Sequence, residues 1–425
     1  MSAETCKCPA CAAPLVYDGE SGSMICHACG NSYTIDEVMP GGTDTRIGFD
    51  MSGSSYAADE AASCQCDSCG AKLVTAATTT STECPYCGSP VVLTAQIAAG
   101  VRPEKVVPFV LDKTQATELF SGYFKGKKLL PNVFRKDNHI AEIRRLFVPY
   151  WLFDCDASGD MTFDCEKKHT SREGDFEVTR TKHYLVRRRG SMSFAGIPVD
   201  GSAQLDNSIT ESIEPFDMSK AVDFHPAVLS GAMADRADVN AADCESRAAE
   251  RVEQSMADRL RATVEGYDTV SVRSRYIRSD KGEGRPVLMP VWLITTRKAL
   301  KGEEKTYTFA INGQSGELTC DVPADKGKAF AWGAGVFAGV MGVGSLLLHL
   351  AGALGSGTAL LAGVGSLIAA LITVSVLRGQ LKNAHSLSDA AGYVCDDTFR
   401  LDIRADYFTH ETVERRKIEQ EKKEA

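Results

Sequence analysis

The sequence lacks the short motifs that mark several common catalytic sites. It contains no GxSxG nucleophile turn, no P-loop, no GxGxxG fingerprint and no HExxH zinc motif. Its first residues are polar with no apolar run behind them, so we expect no signal peptide and a reducing, cytosolic location for this region. The composition is otherwise ordinary for a globular chain of 425 residues, with 44% hydrophobic and 24% charged residues. None of these patterns predicts an enzyme.

Basic side chains are scarce in the N-terminal quarter of the chain. Residues 1–100 contain three, Lys7, Arg46 and Lys72, against eleven acidic ones, and the whole chain has a net charge of −9. Proteins that bind nucleic acids present Lys and Arg side chains to the phosphates. This charge pattern therefore disfavours DNA or RNA as a partner of the N-terminal region.

Acidic and basic residues are absent from residues 329–377, a run of 49 residues whose only ionisable side chain is His349. One helix of this length would exceed the ~30 Å hydrocarbon core of a bilayer, because a helix rises ~1.5 Å per residue. Two spans, 329–350 and 358–377, fit that thickness and leave a turn rich in glycine and serine between them. The alternative is a helical hairpin buried in a soluble core.

Flanking charge predicts the orientation of the two spans. Lys326 and Lys328 precede the first span, Arg378 and Lys382 follow the second, and the turn between the spans is uncharged. The positive-inside rule then puts both ends in the cytoplasm and the turn outside. We predict a two-span membrane protein with cytoplasmic N- and C-termini.

One cysteine pattern is repeated without slippage. The spacing C-x-C-x-x-C-x14-C-x-x-C occurs twice, 58 residues apart, and accounts for ten of the fifteen cysteines. Each copy offers two C-x-x-C turns that bring four thiolates together, as tetrahedral zinc requires. A disulfide pair is the alternative, but it suits a secreted chain rather than a cytosolic one. The predicted zinc ligands are Cys8, Cys11, Cys26 and Cys29 in the first copy, and Cys66, Cys69, Cys84 and Cys87 in the second.

The predicted zinc sites are structural. Four cysteines fill the tetrahedral shell, whereas a catalytic zinc keeps one position open. We expect two structural zinc ions, each supplying most of the folding energy of a ribbon too small to bury much core. The first cysteine of each copy, Cys6 or Cys64, is expected to be a bystander, with substitution for one of the ligands as the alternative. His27 is expected to be exposed, with metal ligation as its alternative.

The body between the ribbons and the spans is predicted to be α+β. Helices are expected at Lys113–Lys125 and Asp243–Glu265, the second with one clear apolar face. Two apolar runs share a P-x-W-L centre, around Trp151 and Trp292, and each follows a predicted helix. We interpret the body as two related halves with both tryptophans in the core. Further strands are predicted at Asp175–Arg187, Thr269–Arg278 and Glu304–Ile311.

Two other clusters in the body have ordinary structural explanations. Cys155 and Cys165 bracket a predicted hairpin with His169 nearby, so a Cys–His nucleophile pair is one hypothesis and core or bystander cysteines are the other. The run Arg187–Arg189 is expected to lie on a solvated face or to contact anionic lipid.

These predictions describe a multidomain chain. Its fold class is two small β zinc ribbons, an α+β body with two related halves, and a C-terminal transmembrane α-helical hairpin. The charged segment from Asp406 onward is expected to be an exposed helix or a frayed end. The predicted boundaries are ribbon 1 at 1–36, a flexible linker at 37–62, ribbon 2 at 63–97, the cytosolic body at 103–325 with its repeat at 103–190 and 210–325, spans at 329–350 and 358–377, and a cytosolic tail at 378–425.

The order of several segments resembles a known family. The ribbons are followed by VVPFVLDKTQATELF, KKLLPNVF, LFVPYWLFD, SIEPFD, MPVWLI and TFAINGQSGEL, and then by the Gly-rich apolar hairpin. This order resembles that of bacterial membrane proteins described as TFIIB-type zinc-ribbon-containing proteins, sometimes mislabelled as primosomal helicase-like. The family pattern has one ribbon, and this chain has two. The resemblance implies an adaptor at the bacterial cell membrane, associated with phage-shock-type membrane stress.

We therefore expect a non-enzymatic, membrane-anchored adaptor that recruits cytosolic or membrane proteins to the lipid bilayer, with its oligomeric state left open. Two other classes are alternatives: a nucleic-acid-binding zinc-ribbon protein, and a membrane enzyme with an unrecognised site in the body. Charge disfavours the first alternative, and the helicase-like label has no P-loop to support it.

Overall fold

The protein divides into two compact units, each assembled from separate segments of the chain. The first unit comprises Met1–Pro149, Ser202–Asp238 and Val287–Ser386. The second comprises Tyr150–Gly201, Val239–Pro286 and Leu387–Ala425. The computed structural model describes residues 6–39, 61–66, 72–76, 78–84, 89–93, 97, 101–132, 134, 142–300, 303–320, 322–352, 355–381, 384 and 386–417.

The two cysteine copies form short antiparallel strands. The first copy contains β1 (Val16–Asp18), β2 (Ser23–Ile25), β3 (Ser32–Tyr33) and the helical turn α1 (Ile35–Val38). The second contains β4 (Ala61–Gln65), β5 (Lys72–Ala76), β6 (Thr79–Glu83) and β7 (Pro90–Val92). β2 lies between β1 and β3, β4 pairs with β5, and β6 pairs with β7. Both copies therefore contain short paired strands.

The body is rich in strands and has one long helix. Its elements are β8 (Lys105–Val106), α2 (Lys113–Tyr123), β9 (Glu142–Glu173), β10 (Phe176–Asp200), α3 (Asn207–Glu211), β11 (Val222–Asp223), β12 (Met233–Asp235), α4 (Ala241–Ala262), β13 (Thr269–Lys281), β14 (Arg285–Leu300), β15 (Glu303–Asn312) and β16 (Leu318–Cys320). The C-terminal part adds α5 (Lys326–Leu350), α6 (Ser356–Gly379) and β17 (Arg400–Lys417).

The sheet of the first unit joins the second cysteine copy to the body. β8 pairs with β11 in antiparallel and with β14 in parallel, and β15 lies between β14 and β16. β12 pairs with the start of β9 on one side and with β6 on the other. The second copy is therefore not a separately tethered ribbon. Of the predicted linker 37–62, residues 40–60 lie outside the described residues, while its first two residues belong to α1 and its last two to β4.

Aromatic side chains fill the core of the first unit. Phe120 on α2 packs edge-to-face on Phe309 of β15, with ring centroids 4.9 Å apart, and Phe109 packs in the same way on Trp292, at 5.5 Å. Such pairs add to the energy of apolar burial itself. The α2 helix fits the prediction for Lys113–Lys125, and Asp112 opens it in a capping box with Gln115.

The two P-x-W-L tryptophans occupy equivalent positions in different units. In the first unit, Trp292 Nε1 donates a hydrogen bond to Leu111 O at 3.0 Å. In the second unit, Trp151 Nε1 donates to Val239 O at 2.8 Å. Each acceptor lies two residues before the first residue of a helix, α2 or α4, so the same strand–helix contact is built twice. Both tryptophans are buried, as predicted.

These contacts correct the prediction of two sequential halves. Trp292 belongs to the predicted half 210–325 but contacts the start of α2, which lies in the half 103–190. Trp151 belongs to 103–190 but contacts the start of α4, which lies in 210–325. Each compact unit therefore combines the helix of one predicted half with the tryptophan strand of the other.

The second unit is a sheet covered by the long helix α4. The strands follow the order β13, β9, β10, β17, all antiparallel. Four side chains at four-residue spacing, Val252, Met256, Leu260 and Val264, are all buried, which confirms the predicted apolar face. Gly159 of β9 lies against α4: a Cβ there would stand 2.9 Å from the Leu260 side chain.

The tail corrects another prediction. The segment expected to be an exposed helix or a frayed end is the 18-residue strand β17, which pairs with β10 from Phe176 opposite Lys417 to Ser191 opposite Arg400. The residues beyond Lys417 lie outside the described ones. The backbone hydrogen bonds to β10 stabilise this charged segment as a strand, and its side-chain pattern alone does not predict that pairing.

The basic run Arg187–Arg189 alternates in exposure rather than lying on a solvated face. As successive residues of a strand point to opposite sides of the sheet, Arg187 pairs with Asp160 on one side. Arg188 points to the other side, is 1% exposed, and donates to Asp406 Oδ1 of β17 at 2.5 Å. Its Nε is buried without a hydrogen-bond acceptor among the described residues. The carboxylate of Asp406 is therefore the main compensation for a buried guanidinium.

The helices α5 and α6 are long and apolar enough to cross a membrane. They cover the two predicted spans and pack against each other, and Asp325 accepts hydrogen bonds from Gly327 N and Lys328 N at the start of α5. No side chain described on α5 is buried. The alternative of a hairpin buried in a soluble core does not fit this exposure.

Replacing Asp406 by Asn should destabilise the second unit. The change leaves Arg188 buried without its carboxylate, which we expect to cost about 2 kcal/mol, less than for a fully buried pair because Asp406 is partly exposed. The hydrogen bond from Arg188 lowers the pKa of Asp406. This contribution is therefore present above the ordinary carboxyl pKa and is lost as the pH falls through the lowered one. Thermal unfolding and hydrogen exchange of β10 and β17 measure the effect.

Asp160→Asn is the matched control, because it breaks the ion pair with Arg187 on the exposed side of the same sheet. It should change stability much less. Equal effects of the two substitutions would contradict the importance assigned to the buried guanidinium.

Candidate metal centre

Four cysteine sulfurs of the first copy converge on one point. The Sγ atoms of Cys8, Cys11, Cys26 and Cys29 all lie within 4.8 Å of one another. Two of the separations, Cys8 to Cys29 and Cys11 to Cys26, are 3.6 and 3.5 Å. A zinc ion with four Zn–S bonds of about 2.3 Å needs sulfurs about 3.8 Å apart. The cluster therefore has both the composition and the spacing of a four-thiolate zinc site, and it brings together the predicted ligands of the first copy.

The two C-x-x-C turns are built alike. Ala12 N donates to Cys8 O and Gly30 N donates to Cys26 O, both at 2.8 Å. The residue that closes each turn has a positive φ, 59° at Ala12 and 78° at Gly30. Glycine adopts this conformation freely, whereas alanine is strained there. The positive φ of Ala12 is therefore imposed by the turn that positions Cys8 and Cys11, and it is not a conformation that alanine favours.

Tyr33 is a neighbour of the cluster that the cysteine spacing does not reveal. Its hydroxyl lies 3.5 Å from Cys8 Sγ. This contact is the largest of several influences that together lower the pKa of the Cys8 thiol to about 6, the others being backbone N–H groups and the neighbouring Cys29. Zinc binds the thiolate form, so a lowered pKa favours metal binding at neutral pH. The sequence feature that could have predicted this neighbour is the position of Tyr33, which comes four residues after the second C-x-x-C turn on the strand that follows it.

The spare residues of the first copy behave as expected. Cys6 is buried outside the cluster, with its Sγ 3.7 Å from Met39 Sδ, and His27 is exposed. Neither residue belongs to the set of four converging ligands.

The second copy is described only in part. Cys66 and Cys84 are buried in one apolar cluster with the spare Cys64, Leu73 and Val91. The other two predicted ligands, Cys69 and Cys87, lie outside the described residues. Within the described part of the chain, the four-cysteine cluster of the first copy is the single group of this kind, so a second zinc site stays a prediction.

The first cysteine module is packed onto the body of the first unit. Ser230 Oγ donates to Leu15 O at 2.7 Å, and Tyr17 N donates to Ser230 O at 3.4 Å. Gly231 allows the approach: its φ is +84°, and a Cβ there would stand 2.6 Å from Val16 Cγ1. Leu15 is fully buried in the core shared with the body. The pair Ser230–Gly231 predicts a turn, but the sequence does not predict which segment of the chain packs against that turn.

The hypothesis of a Cys–His nucleophile pair is wrong. Cys155, Cys165 and His169 lie on the single strand β9, so no hairpin turn brings them together. The two cysteines are buried and His169 is exposed. Along a strand, the four residues from Cys165 to His169 span about 13 Å. That distance is too long for proton transfer.

A small antiparallel sheet carrying four converging cysteine sulfurs is the architecture of a zinc ribbon, and the N-terminal module belongs to that class. Residues 4–37 match the family model described as Trm112p-like protein. Over 333 residues the chain is 30% identical to "Uncharacterized protein YdjG" of Bacillus subtilis (strain 168), and the match covers 78% of this chain and 94% of YdjG. The chain belongs to the family of YdjG. No solved structure matches the chain.

Replacing Cys26 by Ser should remove one equivalent of zinc relative to the wild-type protein. Cys26 is buried and is one of the four converging ligands, so its loss leaves three thiolates and an incomplete shell. Metal content of the purified full-length protein, measured by mass spectrometry, gives the result.

Cys6→Ser is the matched control, since Cys6 is equally buried but lies outside the cluster. Its zinc content should equal that of the wild type. Loss of zinc from both variants would assign Cys6 to the ligand set and contradict the four-cysteine site.

Proposed function

We propose that this protein is a membrane-anchored zinc-ribbon adaptor that recruits cytosolic or membrane proteins to the bilayer and has no catalytic activity of its own. The observation that carries the proposal is that one compact unit contains both the four-cysteine module and the apolar hairpin. A partner held by the ribbon is thereby held at the membrane. Membrane-stress signalling, which the family resemblance implies, is the process that we propose this recruitment serves.

The exposed surface of the hairpin supports a bilayer as its surroundings. Large apolar side chains point outward along both helices, and Leu350 and Leu361 are 75% and 70% exposed. Soluble monomers rarely expose contiguous apolar surface on this scale, whereas lipid tails solvate it well. A bacterial cell membrane with two spans is therefore the proposed location.

Both ends of the hairpin are held by the body. At the entry, Lys328 Nζ donates to Leu130 O at 2.5 Å and to Asn132 Oδ1 at 2.7 Å. At the exit, the hydroxyl of Tyr123 on α2 donates to Leu381 O. These contacts support an anchor that is fixed to the first unit rather than attached through a free linker.

Charge supports protein partners for the first ribbon. With zinc bound, its cluster would combine four thiolates with one divalent ion and so carry a net negative charge. The sequence of residues 1–100 contains eleven acidic and three basic side chains, a balance that disfavours contact with the phosphates of nucleic acids. The proposal includes a second four-cysteine site, which would raise the content to two structural zinc ions. Both TFIIB-type ribbons would then bind proteins rather than DNA or RNA.

The proposed topology has both termini in the cytoplasm and the turn between α5 and α6 outside. Alkaline phosphatase is active only after export, so a fusion at Gly352 should be active and a fusion at Lys417 inactive. The basic residues Lys326 and Lys328 in the first turn of α5, and Arg378 in the last turn of α6, are the physical reason. Green fluorescent protein at the same two positions is the control and should give the opposite pattern. Phosphatase activity at Lys417 would exclude this topology.

Proteins that depend on the first ribbon should be lost when its metal site is broken. After crosslinking in cells, protein partners purified with the wild type from membranes should be absent with Cys26→Ser and present with Cys6→Ser. Both variants keep the hairpin, so their membrane content serves as the control. The same set of partners on all three proteins would exclude recruitment through this ribbon.

A further inference from the structure

The first unit contains a large open cavity that the proposed adaptor role does not use. Its volume is about 1160 Å³. Drug-sized ligands occupy pockets of roughly 300–1,000 Å³, so the cavity is larger than a metal or water site requires. Its walls come from β1 and β2, from β5 and β6, and from the body around Phe109, Arg145 and Trp292.

A guanidinium is fixed at the aromatic wall of this cavity. The Arg145 Cζ lies 4.6 Å from the ring centroid of Phe109 and 5.8 Å from that of Trp292. The two rings are themselves packed edge-to-face. Because the rings are buried in the core, they hold the flat guanidinium in place through cation–π contact.

One nitrogen of the guanidinium lacks a polar partner among the described residues. Arg145 Nε is buried and has no hydrogen-bond acceptor there. Asp18 and Glu83 act on Arg145 as distant charges without forming an ion pair with it. Asp18 already accepts hydrogen bonds from Ser21 N at 2.9 Å and Ser21 Oγ at 2.5 Å. Within the described residues, neither carboxylate therefore neutralises the guanidinium of Arg145 by direct contact.

We propose that the cavity binds a small molecule in which an oxyanion, either a carboxylate or a phosphate, is attached to an apolar or aromatic body. The oxyanion would accept the paired N–H groups of Arg145, a geometry that guanidinium fits to both anions. The body would lie against Phe109, Trp292 and the apolar side chains Val16 and Ile143, which line the same space. An oxyanion alone would not fill a cavity of this size, and an apolar body alone would not neutralise the guanidinium.

The electrostatics of Arg145 agree with an anionic ligand. Burial lowers the pKa of its guanidinium, and the charges of Asp18 and Glu83 offset only part of that effect. Guanidinium groups stay charged even so. A bound anion would compensate the desolvated charge, which water and distant carboxylates do incompletely.

Calorimetric titration of the detergent-purified full-length protein tests this proposal. Benzoate and phenyl phosphate serve as probes, and the neutral isostere benzamide serves as the ligand control. At least one anion should bind and benzamide should bind at least tenfold more weakly, because the neutral amide cannot form charge-assisted hydrogen bonds with the guanidinium. Preference for benzoate would identify a carboxylate ligand, and preference for phenyl phosphate a phosphate ligand.

Two substitutions should move the affinity in opposite directions. Arg145→Gln removes the charge and should weaken anion binding at least tenfold, while Arg145→Lys, which keeps the charge without the fork, should give an intermediate loss. Glu83→Gln removes an exposed negative charge from the rim, so it should fold normally and tighten binding severalfold at low salt. Arg278→Gln, on the exposed strand β13, should bind like the wild type.

Zinc content and thermal unfolding establish that each variant is folded. If Arg145→Gln is unfolded, Glu83→Gln and Arg145→Lys still decide the question. The proposal is overturned if neither anion binds the wild type at millimolar concentration, if benzamide binds as well as the anions, or if folded Arg145 and Glu83 variants bind with unchanged affinity.

Discussion

The burial of the first ribbon's apolar side chains in the core of the body is the contact on which the first unit depends. A module of about 30 residues buries little surface by itself, so it depends on a bound metal and on packing against a larger core. Leu15 and Met24 are fully buried in a core that continues to Phe109 and Phe120 of the body, and each contributes about 2 kcal/mol. This contact also brings β1 to the rim of the large cavity and makes the metal site and the hairpin parts of one body.

A ribbon held in this way acts differently from a ribbon on a flexible tether. A tethered domain samples many positions, and a partner that binds at one of them must overcome that freedom. Here Ser230 and Gly231 hold the ribbon backbone, while Tyr123 and Lys328 hold the two ends of the hairpin. A partner that binds the ribbon is therefore held in one fixed position relative to the helices α5 and α6.

Local patterns in the sequence predicted the four converging cysteines of the first copy, the apolar face of α4 and the two long apolar helices, because each depends on neighbours within a few residues or a few turns. The four converging cysteines are an example, since two C-x-x-C turns nearly define the site. The docking of the ribbon, the pairing of β17 and the burial of Arg188 were not predictable in this way. Each depends on contacts between residues more than 200 positions apart, for which composition and periodicity carry no signal. The cavity around Arg145 likewise joins segments that are far apart in the chain, from Val16 to Trp292.

The exchange of helices and tryptophan strands between the predicted halves also determines when the protein can finish folding during synthesis. Trp292 must leave the ribosome before the start of α2 receives its hydrogen bond, although α2 is made some 170 residues earlier. The second unit waits longer, because β17 follows the apolar helices α5 and α6 in the chain. The apolar hairpin is therefore synthesised while β10 still has an open edge. Contacts of such long range form slowly and an unpaired edge strand can pair wrongly, so the interval before β17 is made is the stage at which the nascent chain is most exposed to misfolding.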